Sequence, residues 1–285
     1  MLFALKASIA ALIFAIGMSA TMSDIIYVWR RPLLLVKSLL AMYVIVPLLA
    51  VLMARGLDLP WGTEVALMVL AICAGAPLLP KKLIKLGGDP SYVFSLVVTT
   101  SLLAVVTVPA GLHVLSRYTS FDSPTTPLQI GTTLLKGFLL PLGAGMLVRV
   151  ASPVVADMLG DPLLKVASAV LAVCALVLLV ASFHLVIELG LPSLLAFAAF
   201  TLMALGTGHI LGGPDRGQRT ALALACAGRH VGLALLVAAS YRGPRTLTLV
   251  AGYLVASAMV SIPYIRWRSK AIPAANPESA PQVRG

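Results

Sequence analysis

Charge is scarce in this chain. Only 11% of its 285 residues are charged, 60% are apolar and the mean hydropathy is +1.01, so a water-soluble domain would lack the polar surface to cover itself. The composition is that of a polytopic membrane protein. The acidic residues number ten, and each lies in a loop, a tail or near the end of an apolar run. Cysteine is sparse too: Cys73, Cys174 and Cys226 all sit inside apolar runs, without Cys-x-x-Cys or Cys/His ligand spacing. That pattern excludes a disulfide framework or a zinc site. There is no His-Glu-x-x-His, no pair of intramembrane aspartates, no Gly-rich phosphate loop and no Ser/His/Asp set. Enzyme and ATP-driven pump readings fall with them. The net charge of +11 does not point to nucleic acid, because most basic residues flank apolar runs, where they set orientation.

What is present is a set of apolar runs, two of them broken. Residues 71–76 read Ala-Ile-Cys-Ala-Gly-Ala and 224–229 read Leu-Ala-Cys-Ala-Gly-Arg. The first run breaks at Gly75, Pro77 and Pro80 before Lys81 and Lys82; the second is loosened by Gly228 and Gly232 around Arg229 and His230. Interrupted hydrophobic segments in matching positions of two halves point to a transporter binding site, since unwound backbone frees N–H and C=O groups to hold a solute.

A helix needs roughly 20 apolar residues to cross the hydrocarbon. Nine segments meet or approach that length: about 2–22, 33–54, 62–86 with the break, 91–115, 126–150, 163–187, 192–211, 218–240 and 246–267. Residues 1–268 form one transmembrane domain, and the Pro- and Ala-rich residues 269–285 read as a disordered cytoplasmic tail. With the N-terminus outside, fourteen Lys and Arg lie on the inner side and five on the outer, while Lys136 and Arg229 lie within spans. The positive-inside rule then gives a multi-pass protein of the cell (inner) membrane, N-terminus out and C-terminus in.

The order of short motifs carries a resemblance. Gly17-Met18-Ser19, Arg31-Pro32, Pro47-Leu48-Leu49, Cys73-Ala74-Gly75-Ala76-Pro77, Gly88-Asp89, Ser95 and Thr99-Thr100 follow one another, and Arg219-Thr220-Ala221 precedes Arg229 to Ala234. Together they resemble the successive landmarks of the bile acid:sodium symporter family. The resemblance implies ten helices in two inverted repeats, here about 1–118 and 124–268 and short of the first helix. It also implies a core domain with two crossed broken helices beside a panel domain, and it makes the third and eighth spans the crossing pair.

The resemblance also exposes a departure. Sodium-using members share a Glu and a Gln on the second crossover helix and a Ser-Asn pair on the first. Here those positions fall on Ala225 and Arg229, and on the region 79–82 that includes Lys81. Ser95 and Thr99 still match sodium-site hydroxyls. The acidic and amide ligands are gone, so no cofactor is implied and a sodium ion is an open question.

Arg229 is eleven residues from either end of its run, about 16 Å of helix. An ionised group there costs several kcal/mol unless paired or wet. It either fixes an anionic substrate, stands in for a sodium ion with its guanidinium on carbonyls of the other broken helix, or is a purely structural cation. The remaining substrate-site candidates are His230, Gly75, Pro77, Gly228 and Thr100; the ion-site candidates are Ser95, Thr99, Lys81, Ala225 and Arg229. Against them stand plainer roles. Ser95, Thr99, Thr100 and Ser101 can bond the preceding helical turn; Lys81 and Lys82 can snorkel at a helix end; Lys136 and His230 can be structural; and Cys73 and Cys226 can be small residues at a close crossing.

The reading is a secondary active transporter or facilitator of a small to medium organic anion, by alternating access and independent of sodium. The alternatives are a sodium-coupled symporter using hydroxyl and carbonyl ligands, and a transport-inactive membrane sensor or scaffold. The implied partners are the lipid bilayer and the anion, with no nucleic acid; oligomeric state is left open.

Overall fold

The structure is a computed structural model that describes residues 2–74, 89–118, 128, 132, 135–181, 190–229, 234 and 244–271. Among the described residues the ordered elements are helices, without a strand. That follows from the composition, because a backbone in lipid must satisfy its own N–H and C=O groups and a helix does so within one segment.

Helix α1 spans Leu2–Ser19. A capping box follows: Thr21 Oγ1 accepts the Asp24 N–H at 3.2 Å and the Asp24 carboxylate accepts the Thr21 N–H at 3.0 Å, which starts the short α2, Met22–Ile26. Helix α3 runs from Pro32 to Gly56, with Pro32 at the first turn, where a missing N–H costs nothing, and a π segment at Leu40–Ile45. Helix α4 is Trp61–Ile72 and α5 is Pro90–Tyr118, capped by Asp89, whose carboxylate accepts the Ser91 N–H at 3.0 Å. A second π segment, Leu135–Leu139, leads into α6, Leu140–Ala151, and α7 is Pro153–Ala181. Helix α8, Gly190–Leu211, passes through a left-handed Gly213 to α9, Arg216–Ala227, capped by Asp215. Helix α10 is Pro244–Ala271.

Three described helices are long and apolar enough to cross a membrane: Pro32–Gly56, Pro90–Val114 and Gly190–Leu211. Three boundaries depart from the sequence expectation. Helix α7 begins at Pro153, ten residues before the expected start, and carries Pro162 inside it. The stretch 153–162 is therefore helical, with Asp157 and Asp161 exposed on its first turns. Helix α4 ends at Ile72, ahead of Gly75. Residues 269–271, expected in the tail, are the end of α10; residues 272–285 lie outside the described set.

Helix α1 packs along α6 and α7, while α8 packs along α9 and α10, α3 against α4, and α2 against α5. Small residues permit the closest approaches. A Cβ on Gly145 would lie 2.1 Å from the Phe14 carbonyl oxygen, and one on Gly17 would lie 2.4 Å from that of Leu142, so α1 and α6 touch backbone to backbone. Gly208 and Gly212 do the same for α8 against α9, where added Cβ atoms would meet the Cα of Ala223 at 2.5 Å and of Arg219 at 2.4 Å. Without a hydrophobic drive between helices in lipid, this close packing holds such pairs together.

Candidate functional site

Helices α4 and α9 are each twelve residues long and end the same way. After Ile72 the chain turns at Cys73 (φ −78°, ψ 68°), and the Ala74 N–H donates to the Ile72 carbonyl at 2.9 Å. After Ala227 it turns at Gly228 (φ −82°, ψ 70°), and the Arg229 N–H donates to the Ala227 carbonyl at 3.0 Å. Both are inverse γ-turns. Their correspondence pairs Cys73 with Gly228 and Ala74 with Arg229. The Cys-Ala-Gly repeat seen in the sequence is thus two residues out of structural register: Cys226 occupies the position of Ala71, not of Cys73.

A helix that stops inside the protein leaves its last carbonyls without intrahelical donors, and the end carries partial negative charge. Arg229 answers this at α4. Its Nη2 donates to the Ala71 carbonyl at 2.7 Å and to the Met42 carbonyl, in the π segment of α3, at 3.3 Å. One side chain thereby joins α9, α4 and α3. It is 2% exposed, and among the described residues its Nε and Nη1 meet no acceptor. The titratable side chains near it are Cys73, Cys226, Tyr43 and Tyr253; no carboxylate among the described residues is with them. Tyr253 on α10 closes the other half-helix by donating its hydroxyl to the Ala227 carbonyl, and Tyr43 donates to the Thr100 carbonyl at 3.0 Å.

The α5 hydroxyls divide between two roles. Thr100 and Ser101 donate back to the Val97 carbonyl at 3.1 and 2.6 Å, which is the ordinary use of hydroxyls in a membrane helix. Ser91, Ser95 and Thr99, one turn apart, instead hold a strap, residues 24–29, made of the end of α2 and the turn after it. Ser91 donates to Asp24 at 2.6 Å, the Val28 N–H donates to Ser95 Oγ at 3.0 Å, and the Trp29 indole N–H donates to Thr99 Oγ1 at 3.2 Å. Tyr27 adds a hydrogen bond to Asp89, and Gln218 Nε2 of α9 donates to the Tyr27 hydroxyl at 3.5 Å. Arg31 stacks over the Tyr27 ring, 4.2 Å from its centroid. Burial opposes ionisation of Asp24, but hydrogen bonds from Ser91 and Thr21, helped by Arg149, hold its carboxyl below the usual aspartate range. Burial and the Asp89 contact push the Tyr27 phenol up.

The structure thus brings Arg229, Gly228 and Cys73 to one place, with Ala225 buried on α9 one turn before Arg229, while Ser95 and Thr99 serve the strap and Lys136 lies exposed on the second π segment. His230, Gly75, Pro77, Lys81 and Lys82 lie outside the described residues. Sequence reasoning missed Tyr253 and the Met42 carbonyl. A phenol in the middle of an apolar span was the available signal for the first, because a buried tyrosine hydroxyl needs a partner.

The profile of the Sodium Bile acid symporter family matches residues 8–189. The chain belongs to that family. Members of that family are membrane transporters, not enzymes. Two curated relatives are both sodium/bile acid cotransporter 4, from Rattus norvegicus at 30% identity and from Homo sapiens at 29%, each over 131 residues. The similar stretch is 45% of this chain, and the chain covers 30% of the length of either relative. The family match takes in α4, its γ-turn and the hydroxyls of α5, whereas α9 and Arg229 lie beyond it.

Proposed function

We propose that the protein is a secondary transporter or facilitator of an organic anion, working by alternating access and without need of sodium. The observation that carries this is the bonding of Arg229 Nη2 to the Ala71 and Met42 carbonyls. Two converging carbonyls at the negative end of a half-helix are a place for a monovalent cation. Here a tethered guanidinium fills it. The charge is permanent, so nothing remains for a sodium gradient to load at that point, and Nε and Nη1, which meet no acceptor among the described residues, leave positive character for an anion.

In this reading α4 and α9 are the crossing half-helices of two inverted repeats, in a ten-helix plan that lacks the first helix. Helices α1, α6 and α7 form the panel, against which the remaining helices rock. The chain lies in the cell (inner) membrane, N-terminus out and C-terminus in, as the distribution of Lys and Arg supports. The alternative is sodium-coupled symport through hydroxyl and carbonyl ligands. It is favoured by one observation: Ser95 and Thr99 are buried hydroxyls one turn apart on α5, and each presents its oxygen as an acceptor towards the strap.

Uptake into proteoliposomes decides between them, using a panel of organic anions from cholate to short carboxylates, with and without a sodium gradient. Uptake should be equal in both conditions and fall by about an order of magnitude or more in Arg229→Ala, as expected for loss of a buried charged hydrogen-bonding group. Guanidinium ions in solution should restore part of it. Uptake that needs sodium would return the protein to ordinary symport; none from any anion would favour a transport-inactive sensor.

A further inference from the structure

The Met42 carbonyl is available to Arg229 for a reason written five residues further along the same helix. In a regular helix the Val46 N–H would take the Met42 oxygen. Residue 47 would take the oxygen of Tyr43, but Pro47 has no N–H and its ring would strike that carbonyl. The helix widens instead. The Val46 N–H donates to the Ala41 carbonyl, five residues back, and the π segment Leu40–Ile45 results. In that wider register the donor for Met42 would be the N–H of residue 47, which does not exist. A carbonyl in a buried part of a membrane helix then needs a donor from elsewhere. Arg229 Nη2 is that donor, at 3.3 Å.

From this we infer that Pro47 is a positioning residue for Arg229. Through the π turn it exposes one carbonyl of α3 towards the meeting of α4 and α9, and so fixes where the buried guanidinium sits. The claim rests on Arg229 being the working cation of the proposed transporter. It does not depend on the sodium question. The same chain supplies a control: the second π segment, Leu135–Leu139, is followed by Pro141 at the same offset, and among the described residues no arginine bonds to its carbonyls.

The test is a double-mutant cycle of Pro47→Ala and Arg229→Gln, with Pro141→Ala beside it, in the purified full chain. Thermal midpoint in detergent and uptake of cholate into proteoliposomes are read for each protein. In the Arg229→Gln background Pro47→Ala should raise the midpoint, because closing the regular helix gives the stranded carbonyl the Val46 N–H. With Arg229 present the gain should be absent or reversed. For uptake, Pro47→Ala alone should lose up to about tenfold, the scale of one charged hydrogen bond. The double variant should lose no more than Arg229→Gln alone. Equal midpoint shifts in both backgrounds, uptake losses that multiply, or the same coupling from Pro141→Ala would each overturn the inference. If no protein takes up cholate, the transport reading is what suffers, and the thermal cycle alone decides the role of Pro47.

Discussion

A buried arginine that meets no carboxylate among the described residues is an expensive residue, and the fold answers it with backbone. Arg229 reaches two carbonyls that meet no helical donor among the described residues, so the cost of its desolvation is set against the cost of leaving those oxygens bare. Tyr253 does parallel work at the end of α9 through the Ala227 carbonyl. Tyr253→Phe removes that donor with little change of volume and should cost about 1 kcal/mol, read as a fall of a few degrees in the thermal midpoint. Arg229 was legible in the sequence, because a cation at mid-depth among apolar residues stands out. Its acceptors were not. A free carbonyl at Met42 depends on the register of a helix turn, and a side-chain pattern carries no record of which N–H bonds to which oxygen.

The helices were largely legible as elements, since in lipid almost any apolar run of sufficient length must be helical. The start of α7 was misplaced because Pro162 and two aspartates read as a linker. Proline is tolerated in a membrane helix whose neighbours re-satisfy the freed groups, and here the helix passes through it. The end of α4 was misplaced for the converse reason: an inverse γ-turn at Cys73 needs neither glycine nor proline, so nothing in the sequence marks it. Packing between elements is tested on α6, where two glycines two residues apart meet different surroundings. Gly145 faces the backbone of α1, whereas a Cβ on Gly143 would meet nothing within 4 Å. Gly145→Ala should lower the midpoint by several degrees, the effect of about 1–3 kcal/mol of overpacking. Gly143→Ala should leave it unchanged or raise it, since alanine is the better helix former. Equal effects would mean that the α1–α6 contact does not hold the pair.

At the scale of the molecule, one segment of six residues, 24–29, joins α1 and its partners α6 and α7 to the helices that carry Arg229. Its bonds run up three turns of α5, and Asp24 anchors the first of them. A carboxyl held below its ordinary value adds stability that is complete above about pH 4 and is lost as pH falls through the folded value. Thermal midpoints taken between about pH 3 and 6 should therefore decline on the acid side, and Asp24→Asn should flatten that decline. An unchanged slope in the variant would remove Asp24 from the account. The pairing of helices was not legible, because which apolar faces meet is decided by small residues such as Gly17 and Gly208, and these look alike in every span. The strap itself has a use as an optical handle. The chain holds three tryptophans, so Trp61→Phe and Trp267→Phe leave Trp29 as the sole emitter. An indole whose N–H donates to a hydroxyl emits further to the red than one released into hydrocarbon. The colour of a single unlabelled residue would thus follow the attachment of the strap to α5 while the protein sits in its bilayer.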